Sequence, residues 1–201
     1  YTPRGPAIAS VDRDLIGAHL DSLHQAARAA GAFALRIEPN WFFEPALDDF
    51  LRGSGWLPAQ PIQPRTTIHV DLTPDLGSIF AAMKPKWRYN IRLSERKGVT
   101  VRGGGLADAR VFYDLLKITG ARDRFAIHSF DYYRTAMELL SENARLFIAE
   151  YQGEALAAIF VTAVADEAIY LYGASSNAHR DAMPNHALHW RAMQWALERG
   201  C

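Results

Sequence analysis

Apolar residues recur at helical spacing early in the chain. Leu15, Ile16, Leu20, Leu23, Ala26 and Ala27 share one face of a helix predicted over residues 12–30, with Gly31 as its stop. Residues 32–37 read as a buried strand, ended by Glu38, Pro39 and Asn40. A short helix follows over 45–52, closed by Gly53, and then a short edge strand over 56–60. Pro58, Pro61 and Pro64 make a stiff connector, and a domain boundary is expected there, between residues 1–63 and 64–201. Residues 66–72 alternate in the strand manner, with Thr67, His69 and Asp71 against Ile68, Val70 and Leu72. Asp71 or Thr73 is suited to cap the next helix, which ends near Met83. A basic helix over 86–97, closed by Gly98, leads to a strand at 99–102.

The rest of the pattern is clearer. Amphipathic helices are predicted over 107–120 and 129–143, with a polar loop over 122–128 between them. Strands at 145–150 and 155–165 form a hairpin across Gln152 and Gly153, and 168–172 pairs on through a turn at Asp166. An irregular loop over 173–184 precedes a last helix over 186–199. The order predicts an α+β fold with a mixed, largely antiparallel sheet flanked by helices. It is the order of acetyltransferase-like (GNAT) folds, although other α+β domains share it.

Composition changes this picture little. Half of the residues are apolar (49%), 22% are charged, and acids and bases cancel. That is ordinary for a globular domain, and no apolar run approaches the ~20 residues that span a bilayer. A single cysteine, Cys201, allows no disulfide within the chain and fits a reducing, cytoplasmic setting. The chain opens on Tyr1 and stops just after a helical pattern, so it is read as a fragment.

Charge distribution matters more. Lys84, Lys86, Arg88, Arg92, Arg96, Lys97 and Arg102 crowd a segment holding one acid, Glu95. Arg88, Arg92 and Arg96 are spaced i, i+4, i+8 and therefore share a helix face. Aligned guanidinium groups bind phosphates and give nucleic-acid affinity its salt dependence. The competing reading is a solvated face. Tyr1-Thr2-Pro3-Arg4-Gly5-Pro6 reads as a rigid turn that can present Arg4 to a diphosphate, or as an ordinary connector. Arg122, Asp123, Arg124, Phe125, His128, Tyr132 and Tyr133 set charges and aromatics at the mouth between two helices. An imidazole such as His128 is a candidate general base there; the alternative is a helix cap with packed tyrosines. Tyr170 and Tyr172, two apart on a strand, are expected to point to the same face. No Cys/His metal cluster, P-loop, G-x-S-x-G or G-x-G-x-x-G occurs, so neither metal nor nucleotide cofactor is expected. The 175–184 loop also lacks the Gly-rich pattern of acyl-CoA acetyltransferases.

In order along the chain stand Tyr1-Thr2-Pro3-Arg4-Gly5-Pro6; Arg36-Ile37-Glu38-Pro39-Asn40; Pro64-Arg65-Thr66 leading to Val70-Asp71-Leu72; and Lys86-Trp87-Arg88-Tyr89-Asn90-Ile91-Arg92 with Lys97-Gly98-Val99. Then come Arg122-Asp123 with Phe125; Tyr132-Tyr133; Tyr170-Leu171-Tyr172-Gly173-Ala174-Ser175; and Pro184-Asn185 before Trp190. Together they resemble the Fem family of peptidoglycan bridge-forming aminoacyltransferases. The resemblance implies two acetyltransferase-like domains, with residues 1–63 ending the first and 64–201 forming most of the second. It implies transfer of an amino acid from aminoacyl-tRNA to an amine on a muramoyl-peptide precursor, carried on UDP or on a lipid. A lipid-linked acceptor would add a peripheral membrane contact. Acceptor contacts then map onto Tyr1, Arg4, His128, Tyr132, Tyr170 and Tyr172, and tRNA contacts onto Lys84, Lys86, Arg88, Arg92, Arg96 and Lys97. The family pattern continues past residue 201 through a strand and a Phe-Lys motif linked to catalysis, so catalytic residues stay unassigned. It also carries a basic residue, often arginine, where this chain has His128. The alternatives are an acyl-CoA-dependent N-acyltransferase on the same fold and a non-catalytic domain that binds wall precursors or nucleic acid.

Overall fold

A computed structural model describes residues 1–8, 12–42, 44–64 and 66–201. Arg65, named in the Pro64-Arg65-Thr66 stretch, lies outside the described residues. Two compact units divide between His69 and Val70.

In the first unit, β1 (Thr2–Arg4) pairs in parallel with β2 (Ile37–Pro39). Helix α1 (Arg13–Ala29) starts on Asp12, whose carboxylate accepts from the Leu15 amide. Helix α2 (Pro45–Gly53) carries proline in its first turn, where a missing N–H costs nothing. Ile16, Leu20 and Leu47 pack together between the helices. Three expectations fail here. The predicted strand over 32–37 is displaced to Ile37–Pro39, because β1 is the partner available and its Thr2 amide reaches back to the Arg36 carbonyl. Part of the rigid turn over residues 1–6 is that partner strand. Residues 56–60 form no strand; nothing described pairs with them.

The second unit opens without the strand expected over 66–72, a stretch that straddles the division. The alternation there finds no partner among the described residues, and Ile68 and Val70 are exposed. Asp71 instead accepts from the Thr73 amide in a local turn, and Asp75 caps α3 (Leu76–Ala82) through the Gly77 and Ser78 amides. Helix α4 (Pro85–Lys97) ends on Gly98 at φ 86°, the left-handed geometry that glycine adopts without strain.

β3 (Thr100–Gly104), β4 (Ala144–Tyr151), β5 (Glu154–Val164) and β6 (Glu167–Ser175) form an antiparallel sheet in that order. Helix α5 (Ala109–Asp123) and α6 (Phe130–Leu139) cover one face, and α7 (Pro184–Glu198) the other. α5 runs far enough to take in Arg122 and Asp123, which were expected in the loop, and α6 stops four residues early. Both faces of β5 are therefore buried. Ala157, Ile159 and Val161 meet Leu188 and Trp195 of α7, while Ala158 and Phe160 meet Phe112, Leu116 and Tyr133 of α5 and α6. That explains its unbroken apolar run. The unit is an α+β, acetyltransferase-like fold.

Candidate functional site

Aromatic residues gather on the α5–α6 face. Ser129 caps α6 by accepting from the Tyr132 amide, which fixes the first turn and the rings it carries. The His128 ring stacks on Tyr132 at 4.0 Å, and its backbone amide donates to the Tyr133 hydroxyl at 3.3 Å. Tyr132 and Tyr172 join hydroxyl to hydroxyl at 3.0 Å. Tyr133 is buried beneath them, edge-on to both Phe112 and Tyr172. Burial pushes the Tyr133 phenol up. Burial, then the hydroxyl bond with Tyr132, pushes the Tyr172 phenol up strongly. Both therefore remain protonated near neutrality and serve as hydrogen-bonding groups, not as bases. Beside them, a cavity of about 250 Å³ is lined by Leu106, Met137, Leu146 and Phe160 among others, and the Phe160 ring lies parallel to Tyr172.

Tyr170 does not join this group. The β5–β6 register shifts so that Val161 faces Tyr170 and the next residue back, Phe160, faces Tyr172. Leu171 is thus the extra residue of a bulge, which turns Tyr170 to the α7 face. The expectation of a shared face is corrected: strict alternation fails across the bulge. Tyr170 lies 5.1 Å from the ring of His189 on α7. Its hydroxyl end lies across Gly173, where a Cβ would stand 1.7 Å from it, so only glycine permits this packing. Burial of that end raises its pKa, although 52% of the residue's surface stays accessible.

The end of β6 is held by two α5 residues whose part the sequence did not suggest. The buried Thr119 hydroxyl accepts from the Ser175 amide at 2.8 Å, and it also lies within donating distance of the Leu115 and Ser175 carbonyls. Arg122 donates to the Ser175 carbonyl, the Ser175 hydroxyl and Asn177, and pairs with Asp123. The strand end just beyond Tyr172 is thereby fixed.

Tyr1 and Arg4 belong to the first unit. Tyr1 donates to the Glu38 carboxylate, which also accepts from the Ile62 and Gln63 amides. These bonds, Tyr1 first, hold Glu38 below its ordinary range. Arg4 reaches Asn40 and the Pro64 carbonyl, each at 3.4 Å.

The basic helix divides by role. Arg88 donates to the Ala81 and Met83 carbonyls at the end of α3, and Lys97 pairs with Asp181. Arg92 lies over Phe80 and Arg96 over Tyr89, both exposed, as are Lys84 and Lys86. Across from α4, Trp87 meets His186 of α7 at 4.6 Å and His189 at 5.9 Å. Asn90 bonds His186 Nε2 at 3.0 Å, so the buried asparagine ties α4 to α7. Burial lowers both imidazoles, helped by Lys86 for His186 and by His186 for His189, so both are neutral at neutral pH. Among the described residues, no group of three or more His, Cys, Asp or Glu is placed to hold a metal, and no helix is long and apolar enough to cross a membrane.

The chain is similar to several known proteins. The FemAB family model matches residues 57–155. A lipid II:glycine glycyltransferase of Staphylococcus aureus is 23% identical over 278 aligned residues, covering 100% of this chain and 66% of the relative. The chain thus spans just under two thirds of the length of the curated relatives it matches. The crystal structure of FemX superposes with a TM-score of 0.83 at 22% identity, covering 99% of this chain and 69% of FemX. The C-terminal domain of a putative lysylphosphatidylglycerol synthetase from Agrobacterium fabrum shares the fold more distantly, at a TM-score of 0.56, 17% identity, and coverage of 94% of this chain and 58% of that one. By the family match over residues 57–155, the relative aligned along the whole chain and the shared fold, the chain is similar to the FemAB family.

Proposed function

We propose that this protein transfers an amino acid from aminoacyl-tRNA to an amine on the peptide of a peptidoglycan precursor, forming an interpeptide bridge. The observation that carries the reading is the Tyr132–Tyr172 hydroxyl pair with His128 stacked beside it, on a chain whose relatives are named lipid II:glycine glycyltransferases. Neutral phenols at a partly open mouth suit a polar, peptide-bearing acceptor. Residues 1–63 then form the end of a first acetyltransferase-like domain, and 64–201 form most of a second. The exposed Lys84, Lys86, Arg92 and Arg96 are the phosphate contacts, in a protein working in the cytoplasm on a UDP- or lipid-linked acceptor.

The reaction needs no metal or nucleotide, since the aminoacyl ester is already activated. The acceptor nitrogen attacks the ester carbonyl, the C–N bond forms, and the ester C–O bond breaks. The proton lost by the amine balances the one gained by the departing ribose oxygen. The protein's main contribution is alignment and support of the transient oxyanion. Leu171, displaced by the bulge from the β5–β6 register, offers a backbone amide of the kind that serves such an oxygen. Tyr172, kept protonated, orients the acceptor and does not deprotonate it.

The test supplies the protein with labelled aminoacyl-tRNA or acyl-CoA and with UDP-linked or lipid-linked muramoyl pentapeptide. Label reaching the peptide from tRNA alone supports the proposal. Transfer from acyl-CoA alone identifies an N-acyltransferase, and binding of the precursor with no transfer from either donor identifies a binding domain.

A further inference from the structure

On the sheet face away from the Tyr132–Tyr172 pair lies a second cluster with no part in the acceptor site. Trp87 of α4 meets His186 and His189 of α7, and His189 meets Tyr170 of β6, so aromatic rings in contact span three elements. None of the four is fully buried. Asn90 engages His186 Nε2, yet the buried Nδ1 has no hydrogen-bond partner among the described residues. A buried ring nitrogen left this way carries an energetic cost unless something meets it. Lys86 stands beside the cluster, exposed and at the start of the basic helix. A plain apolar core explains neither the free nitrogen nor the lysine.

Partly exposed aromatic rings, an imidazole nitrogen with no protein partner among the described residues, and a cation at the rim are elements of a stacking platform for unpaired nucleotides. We infer that the Trp87–His186–His189–Tyr170 cluster binds an unpaired base at the single-stranded 3′ end of an RNA, with Lys86 on its phosphate. This rests on the aminoacyl-tRNA reading and adds which part of the RNA is held and by which residues. The neutral rings suit the role: an uncharged imidazole stacks on a base without the cost of desolvating a charge.

The experiment measures equilibrium binding of two uncharged RNA hairpins, one with a single-stranded 3′ tail and one blunt. Wild type is expected to prefer the tailed hairpin. Trp87→Leu should weaken the tailed complex about tenfold, equivalent to ~1.4 kcal/mol, and change the blunt one less than about twofold. Trp87→Phe, which keeps an aromatic face, should retain most of the preference. One arm needs no variant: an abasic nucleotide at the tail's end should lose about the same tenfold with wild-type protein. Equal weakening of both hairpins by Trp87→Leu, or an abasic tail that binds like the intact one, overturns the site. Wild type that binds both hairpins equally overturns the site alone. Wild type that binds neither overturns the aminoacyl-tRNA reading, and the site with it.

Discussion

Replacing Thr119 by valine keeps side-chain volume nearly constant and removes one hydroxyl. That hydroxyl is the acceptor for the Ser175 amide at 2.8 Å, in a residue only 7% exposed. The Ser175 carbonyl keeps Arg122, and the Leu115 carbonyl remains within its helix, so the group left unpaired is the Ser175 N–H. An unsatisfied, partly buried amide costs about 1–3 kcal/mol. For a unit spanning residues 70–201, ~2.1 cal/mol/K per residue gives an unfolding entropy of roughly 0.28 kcal/mol/K, so the midpoint should fall by about 4–10 °C. Thermal unfolding followed by circular dichroism measures this, and amide exchange at Ser175 should quicken in the same variant. Thr119→Ser keeps the oxygen and should recover most of the loss. The reasoning is refuted if valine unfolds within about 1 °C of wild type, or if serine is as damaging as valine.

Tyr172→Phe removes the hydroxyl paired with Tyr132 from a partly exposed site; transfer kcat/KM should fall roughly tenfold or more with little change in unfolding midpoint, by the worth of one oriented hydrogen bond. Arg92→Gln with Arg96→Gln should lower the slope of log affinity against log salt for tRNA by about 1.4–1.8, at ~0.7–0.9 per phosphate contact, in a filter-binding or anisotropy titration. Arg88→Gln should differ in kind: it strands the Ala81 and Met83 carbonyls and destabilises the second unit by about 1–3 kcal/mol in denaturant titration. Glu38 is held below its ordinary range, so its stabilising effect is fully present above that range and is lost as pH falls through the lowered folded value. The Ile62 and Gln63 amide resonances should follow that low midpoint in an NMR titration, and Glu38→Gln should abolish the transition.

Much of the second unit was legible because its patterns are redundant. β5 is apolar throughout since helices cover both sheet faces, the Gln152–Gly153 turn marks the hairpin, and Gly98 marks the end of α4. The failures share a cause. Alternation over 66–72 and apolar runs over 32–37 and 56–60 are necessary for a strand but not sufficient. A strand also needs a partner, and partners are set by chain segments far away in sequence. Asp71 shows the same limit on a smaller scale: Asp71 and Asp75 both precede α3 as suitable caps, and only the backbone path decides that Asp75 reaches its amides. Within the candidate site, Tyr132 and His128 were visible as aromatic and titratable residues at a helix start. Thr119 and Arg122 were not visible as anchors of β6, because their partners are some fifty residues distant and are mostly backbone atoms.

The bulge at Leu171 carries the sharpest consequence. Period-two reasoning placed Tyr170 and Tyr172 on one face, and the resemblance implied that both are acceptor contacts. One inserted residue sends them to opposite faces, Tyr172 toward Tyr132 and Tyr170 toward His189. The proposed transfer brings two substrates to one bond from different directions, and a sheet whose edge strand changes face within three residues offers a group to each side. The close packing of Tyr170 on Gly173 makes this separation testable. Gly173→Ala puts a Cβ where the phenol lies, so Tyr170 must swing away while Tyr172 and its bond to Tyr132 stay in place. If the two faces serve different substrates, this variant should weaken RNA binding and leave precursor binding unchanged, with Tyr172→Phe doing the reverse. Loss of precursor binding in Gly173→Ala, with the fold intact by circular dichroism, would return both tyrosines to a single site.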